Sequence, residues 1–359
     1  MARAAGDLCH ALAGVGHEVT VFTFSTAKAV REERTGAVRV RRFPGPRWPA
    51  EWLVPFARGI EEAIAAAAGA FDVAHLHGHR SGIVRQAAAA LRRAGLAWVL
   101  QPHGTFPHHG QRRLAKAVWD AFGMEPVTRA AALLALSEAE ARDLPAPAVV
   151  VGSGVALPGA DQPIGRRTPA QRVAAARPRL LFVGSDAPQK RGRVLVDLMR
   201  ALPEAHLDLV GPMGPRFVDG FGAFTGRVTI HGVLEDDALV ALLNAADLLV
   251  HPAAGEAFGM VPFEASLAGT GAVVAGGHGC GEWFARAGGC VVPPDDPGSL
   301  VREVRRRITD LALGRAEAAA VASFCDRELT WPQVAARVSA VYATVVGRGA
   351  TAPRAALAG

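Results

Sequence analysis

Two carboxylates, Glu256 and Glu264, stand eight positions apart in GEAFGMVPFEASLAGTG (Gly255–Gly271), with an aromatic residue, a glycine and a proline between them. On one unbroken helix they would sit about 80° apart, adjacent but not on one stripe. Pro262 would remove a backbone hydrogen bond from a helix interior but is well tolerated in a first turn. The helix is therefore expected to begin near Met260–Val261 and to run to Ala268, with Gly269 as its stop. Glu256 then lies on a loop and Glu264 in the opening turns. The amides of Phe258, Gly259 and Met260 become donors at a helix N-terminus, which suits an anion such as phosphate. Gly259 permits close approach to the backbone. Carboxylates on either side of an anion site make chemical sense as acceptors for sugar hydroxyls. The plainer reading makes Glu256 an exposed loop charge and Glu264 a complement to the helix dipole. The local sequence leaves both open.

Other candidate groups are less specific. His75, His77, His79, His108 and His109 form a histidine-rich set, but no acidic partner or regular ligand spacing accompanies them, so no metal is expected. Cys9, Cys280, Cys290 and Cys325 show no C-x-x-C pair and read as thiols of a reducing compartment. Ser137 and Glu138 fit an S-x-x-E helix-cap signal and are read as structural.

The elements that must position these residues alternate along the chain. Short apolar runs at His17–Phe24, Val73–Gly78, Leu96–Gly104 and Ala132–Ser137 read as buried strands, with alanine-rich amphipathic segments between them. A second series follows at Arg179–Gly184, Leu207–Gly211, Val228–Gly232, Asp247–Pro252 and Gly271–Gly276. Strands alternating with helices imply parallel sheets covered by helices on both faces. A Pro-, Gly- and Arg-rich stretch, Ala156–Arg179, separates the series. At 359 residues two domains are expected. The division is 1–155, then 156–330, with 331–359 as a C-terminal helix that packs back on the first domain and a tail. Two doubly wound α/β domains would face each other across a cleft, with ligands at the carboxyl ends of the strands. Met1–Val15 already reads as a first helix, so the central first strand of the N-terminal domain is missing from the pattern.

The net charge of +6 and pI near 9.7 suit acidic partners, an anionic substrate or a peripheral contact with an anionic membrane. The arginines are scattered and carry no interleaved aromatics, so nucleic acid is not expected. No apolar run reaches the roughly 18 residues of a membrane span and no leader pattern opens the chain, giving a cytoplasmic expectation.

With those residues in view, EAFGMVPFE resembles the E-x7-E element of the retaining GT-B glycosyltransferases of family 4. Glu264 is its second glutamate, and Ala265, Gly269 and the pair Gly279 and Glu282 follow at family spacing, while Gly271 stands where proline is common. GHEVTVFT (Gly16–Thr23), DVAHLHG (Asp72–Gly78), PHGT (Pro102–Thr105), LALSEAEARDL (Leu134–Leu144), LLFVGSDAPQK (Leu180–Lys190) and LTWPQVAARVSAVY (Leu329–Tyr342) are similar in the same order. The resemblance covers nearly the whole chain.

The resemblance implies a site. Glu264 would hold the ribose hydroxyls, Glu256 the hydroxyls of the transferred sugar, and the Phe258, Gly259 and Met260 region the sugar and diphosphate. The loop after Gly184 would clamp the diphosphate through Lys190. There Ser185 replaces the family arginine and Arg191 the family glycine, with Arg191 or Arg193 as possible substitutes. His103 would lie near the anomeric centre, and Glu282 near the nucleotide. The family's Gly-Gly phosphate loop would fall immediately before Met1, which implies either a start assigned too late or a product that lacks its first strand, the former being the expectation. The implied reaction moves a sugar from a nucleotide-diphosphate sugar, with retention and without a metal or other cofactor, to an acceptor that the sequence does not name. Acceptor recognition is expected on Thr105–Arg113. The rivals are a nucleotide-sugar epimerase or phosphorylase of the same fold and a catalytically lapsed scaffold. A nicotinamide oxidoreductase is disfavoured because no G-x-G-x-x-G follows a strand.

Overall fold

A computed structural model of the chain describes residues 2–45, 56–106, 113–157 and 177–351. The chain divides into two units, one comprising residues 1–154 and 331–359, the other 155–330.

The second unit is the more regular. Its strands are β8 (Arg179–Val183), β9 (His206–Val210), β10 (Val228–Gly232), β11 (Leu248–His251), β12 (Gly271–Ala275) and β13 (Cys290–Val292). They form one parallel sheet in the order β10-β9-β8-β11-β12-β13. Every residue of β11 and β12 is buried, as continuous apolar runs covered by helices on both faces require. The order reverses between β8 and β11. In sheets of this kind that crevice, beyond the strands' carboxyl ends, is where ligands bind.

The N-terminal unit opens with helix Ala2–Gly14, and its sheet comes in two pieces. One piece holds β1 (Thr20–Ser25), β2 (Arg31–Thr35) and β3 (Val38–Pro44) in the order β1-β3-β2. β3 runs parallel to β1 and antiparallel to β2. The other is the parallel set β4 (Ala74–His77), β5 (Trp98–Gln101), β6 (Ala132–Ala135) and β7 (Ala148–Val150), in chain order. Among the described residues β1 and β4 each stand at the end of their sheet. The strands β2, β3, β7 and β13 are absent from the sequence pattern. Charged residues fill β2 and interrupt β3, and the other two span three residues each.

Helix Trp331–Thr351 belongs to the N-terminal unit. Val334, Val338, Val341, Tyr342 and Val345 line one buried stripe against Leu8, Leu12, Val99, Leu134 and Val151. Each such side chain contributes roughly 1.5–3 kcal/mol on burial. This helix therefore holds the opening helix against β5 and β6. Tyr342, a buried polar tip on this helix, finds a partner in His75, whose Nδ1 lies 2.7 Å from the phenol oxygen.

Candidate functional site

The C-terminal unit gathers three loops at the carboxyl edge of its sheet. The loop after β8 turns through a short 3-10 segment, Pro188–Lys190, and the carbonyl of Gln189 accepts from the amide of Ala254 at 2.8 Å. That bond ties it to the loop after β11, which carries Glu256. Lys190 Nζ donates to Glu256 Oε1, so the two ends of the switch point are joined by an ion pair. His251, the last residue of β11, lies beneath it with Nε2 3.7 Å from Glu256 Oε1. Burial, reinforced by the Lys190 ammonium, lowers its pKa to about 3, so it is neutral at pH 7.

The following helix spans Val261–Leu267, with Pro262 in its first turn and Gly269 beyond its end at φ 79°. Glu264 is buried in that first turn and Glu256 lies on the loop before it. Phe258 is consumed by packing: it stacks on Phe263 at 5.2 Å and lies 6.0 Å from Trp283. Gly259, at φ 74°, has a packing reason to be glycine, because a Cβ there would meet Cys280 at 2.9 Å. Met260 is the residue immediately before the helix, and its carbonyl accepts from the amides of Phe263 and Glu264 at 3.0 Å.

The third loop follows β12. His278 precedes helix Gly279–Arg286, which carries Glu282 in its first turn, and its Nε2 lies 2.9 Å from the carbonyl of Ala253. A carbonyl only accepts, so Nε2 carries the proton.

The clamp positions divide. Gly184 donates to Val210 at 2.9 Å, continuing the ladder, and Ser185 Oγ accepts from the amide of Ala187 at 3.3 Å in a local turn. Arg191 adopts φ 51°, a left-handed conformation for which glycine is the default. Its guanidinium donates to the carbonyl of Pro294, past β13, while Lys190 alone of this pair meets Glu256. Arg193 stands at the start of helix Val194–Ala201.

The N-terminal unit assembles a different cluster at the carboxyl ends of β4, β5 and β6. His77 closes β4, and His103 follows β5 at φ 56°. His77 Nδ1 and His103 Nε2 lie 2.8 Å apart, and the rings of His75 and His77 stack at 4.1 Å. Burial lowers the pKa of His77 to about 4, and burial with the neighbouring His77 lowers that of His103 to about 3. His79 turns elsewhere, with Nε2 3.0 Å from Asp120. His108, His109 and residues 107–112 of the expected acceptor loop lie outside the described residues. Among the described residues no group of three or more His, Cys, Asp or Glu could hold a metal, and all four cysteines are free.

The helix cap on this unit needs correcting. Ser137 caps helix Glu138–Asp143 by accepting from the amide of Glu140 at 3.1 Å. The acidic partner of the S-x-x-E signal is therefore Glu140 and not Glu138, because the box spans three positions. Nor does Glu140 close a local box. Its buried carboxylate accepts from the amide of Leu136 at 2.7 Å and from the amide of Gly104, next to His103.

Comparison with known proteins gives consistent matches. Residues 1–158 match a family model described as glycosyl transferase 4-like domain, and residues 177–310 one described as glycosyl transferases group 1. A D-inositol 3-phosphate glycosyltransferase of Nocardioides sp. is 30% identical over 395 residues, spanning 94% of this chain and 83% of the relative. Sucrose-phosphate synthase from Thermosynechococcus elongatus superposes with TM-score 0.74 at 21% identity, over 96% of this chain and 93% of that one. Anabaena Alr3699/HepE in complex with UDP superposes with TM-score 0.69 at 18% identity, over 94% and 96%. At those identities the two structures speak for the fold alone.

Proposed function

The chain belongs to family 4 of the GT-B glycosyltransferases and is an enzyme of that kind, and from that premise we propose that it transfers a sugar from a uridine-diphosphate sugar, with retention and without a metal, to a hydroxyl of an anionic acceptor. The observation that carries this reading is the Lys190–Glu256 pair at the point where the sheet order reverses. The departing nucleoside diphosphate carries about two negative charges near neutral pH, and a preorganised cation beside it stabilises the transition state. When the donor enters, Lys190 exchanges Glu256 for the diphosphate, and Glu256 is released to accept from the sugar hydroxyls. Glu264, fixed in the first helical turn, accepts from the ribose hydroxyls, and the backbone at Phe258–Met260 lies along the diphosphate. Glu282 completes the nucleotide side. His103 of the N-terminal unit contacts the transferred sugar as a neutral imidazole.

Uridine is favoured because the Anabaena neighbour is described in complex with UDP and with UDP-glucose. An anionic acceptor is favoured by the inositol phosphate in the name of the Nocardioides relative and by two His and two Arg within Thr105–Arg113. Contact with an anionic membrane face rests on the net charge of +6. No helix among the described residues is long and apolar enough to cross a membrane.

A thermal shift with UDP, GDP and ADP tests the donor site. UDP is expected to raise Tm most, and Glu264→Ala to abolish the shift. No shift with any nucleotide, or one unchanged in the variant, overturns the reading.

A further inference from the structure

His103 occupies an unusual position. Its backbone is left-handed at φ 56° and Gly104 follows at φ 71°, so two successive residues sit where only glycine is comfortable. A non-glycine residue persists there when its surroundings over-determine it. Two neighbouring strand ends supply that determination. From the helix that follows β6, Glu140 reaches the amide of Gly104 with one carboxylate oxygen and the amide of Leu136 with the other. From β4, His77 meets the His103 ring.

The ring contact carries more than position. His77 and His103 are both neutral at pH 7, so the 2.8 Å bond between Nδ1 and Nε2 joins one N–H to one lone pair. Whichever nitrogen donates, the tautomer of one ring dictates that of the other. Nε2 of His103 is committed to His77, leaving Nδ1 as the ring atom for a substrate. A donor Nδ1 and an acceptor Nδ1 recognise different sugar oxygens, so the state of His77 selects what His103 can bind.

We propose that His77 and Glu140 are positioning residues for His103, His77 fixing the tautomer that it presents and Glu140 holding the turn that carries it. Neither group touches the substrate. The consequence for transfer rests on the sugar-contacting role proposed above for His103, whereas the positioning itself stands on the geometry of this unit.

The test uses full-length protein labelled with 15N-histidine, with the His103 resonances assigned through His103→Ala. Wild type is expected to show one His103 tautomer at pH 7.5. His77→Asn, whose amide can turn to donate or to accept, fixes neither tautomer and is expected to give a mixture. His77→Leu gives a mixture, and Glu140→Gln, which puts an amide N–H against a backbone N–H, shifts both His103 resonances. Circular dichroism establishes that each variant is folded. His103 resonances in His77→Leu identical to wild type overturn the proposal. Release of UDP from UDP-glucose supplies the second readout. His103→Ala should lower kcat about 100-fold and His77→Leu about tenfold, with KM within twofold in both. An undiminished kcat in His103→Ala sinks the assigned role of His103 and leaves the tautomer result to decide the positioning. A kcat that falls in His103→Ala but not in His77→Leu counts against His77.

Discussion

The two units solve the problem of placing polar groups at a sheet's carboxyl edge in opposite ways. The C-terminal edge holds an ion pair, Lys190 with Glu256, whose side chains keep some solvent contact at 26% and 17% exposure. Charges left within reach of water can exchange partners, and exchange is what a site for a dianionic leaving group needs. The N-terminal edge holds neutral imidazoles tied to one another, and the left-handed turn at His103–Gly104 is held by the buried Glu140. A fixed neutral cluster cannot compensate phosphate charge, but it can present one ring nitrogen in one orientation. On the proposed reading, charge compensation falls to the Lys190–Glu256 edge and orientation to the His77–His103 edge.

The largest expected effect breaks or upholds that division directly. Lys190→Met removes the countercharge and leaves Glu256 without its cation, and should cut kcat/KM for a UDP-sugar by roughly 10³-fold, about 4 kcal/mol. UDP affinity, read by calorimetry, should fall with it and lose much of its salt dependence. His103→Ala should leave UDP affinity within twofold. If the histidine variant loses UDP and the lysine variant keeps it, the assignment is inverted.

These two edges were not equally legible in the sequence. Pro262 and Gly269 marked the start and stop of the helix, and hence placed Glu256 on a loop and Glu264 in a first turn, because capping chemistry is local. The alternating apolar runs likewise set out the parallel sheets, while the charged β2–β3 pair and the three-residue strands gave no such period. The histidine–carboxylate cluster was hidden for a physical reason. His77 meets His103 across 26 positions, and Glu140 meets Gly104 across 36. Strand adjacency makes those contacts, and no spacing rule within one element encodes them. A faint signal existed in the Ser137–Glu140 spacing, whose glutamate turns away from the cap.

A smaller effect is read by pH and is shared by both units. His77 is neutral in the folded chain down to about pH 4 but protonates near 6.5 when unfolded. Below 6.5 the unfolded state therefore binds more protons, so stability falls as pH drops through the window from about 6.5 to about 4 and levels off beneath it. His251 acts with the same sign in the C-terminal unit, over a window from about 6.5 to about 3. Chemical denaturation at successive pH values should show this decline. His77→Asn should flatten it by about 1 kcal/mol per pH unit in that window, since the titrating group is gone. An unchanged slope would mean that His77 gains a proton in the folded state as readily as in the unfolded one.

The smallest effect concerns Arg191, which sits beside Lys190 in sequence yet serves another loop. Replacing it with glycine relieves a left-handed φ of 51°, worth about 1 kcal/mol, and removes the guanidinium's bond to the Pro294 carbonyl, worth about the same. The two terms oppose, so the stability of Arg191→Gly should lie within about 1 kcal/mol of wild type by urea denaturation. Arg191→Met keeps the strained Cβ while losing the bond, and should be the less stable of the two. Their UDP affinities sharpen the comparison of charges. If Lys190 is the cation that meets the diphosphate, both variants bind UDP within about twofold of wild type. A tenfold loss in both would show that the guanidinium leaves Pro294 when a donor arrives, and that the charged edge answers the phosphates with two cations instead of one.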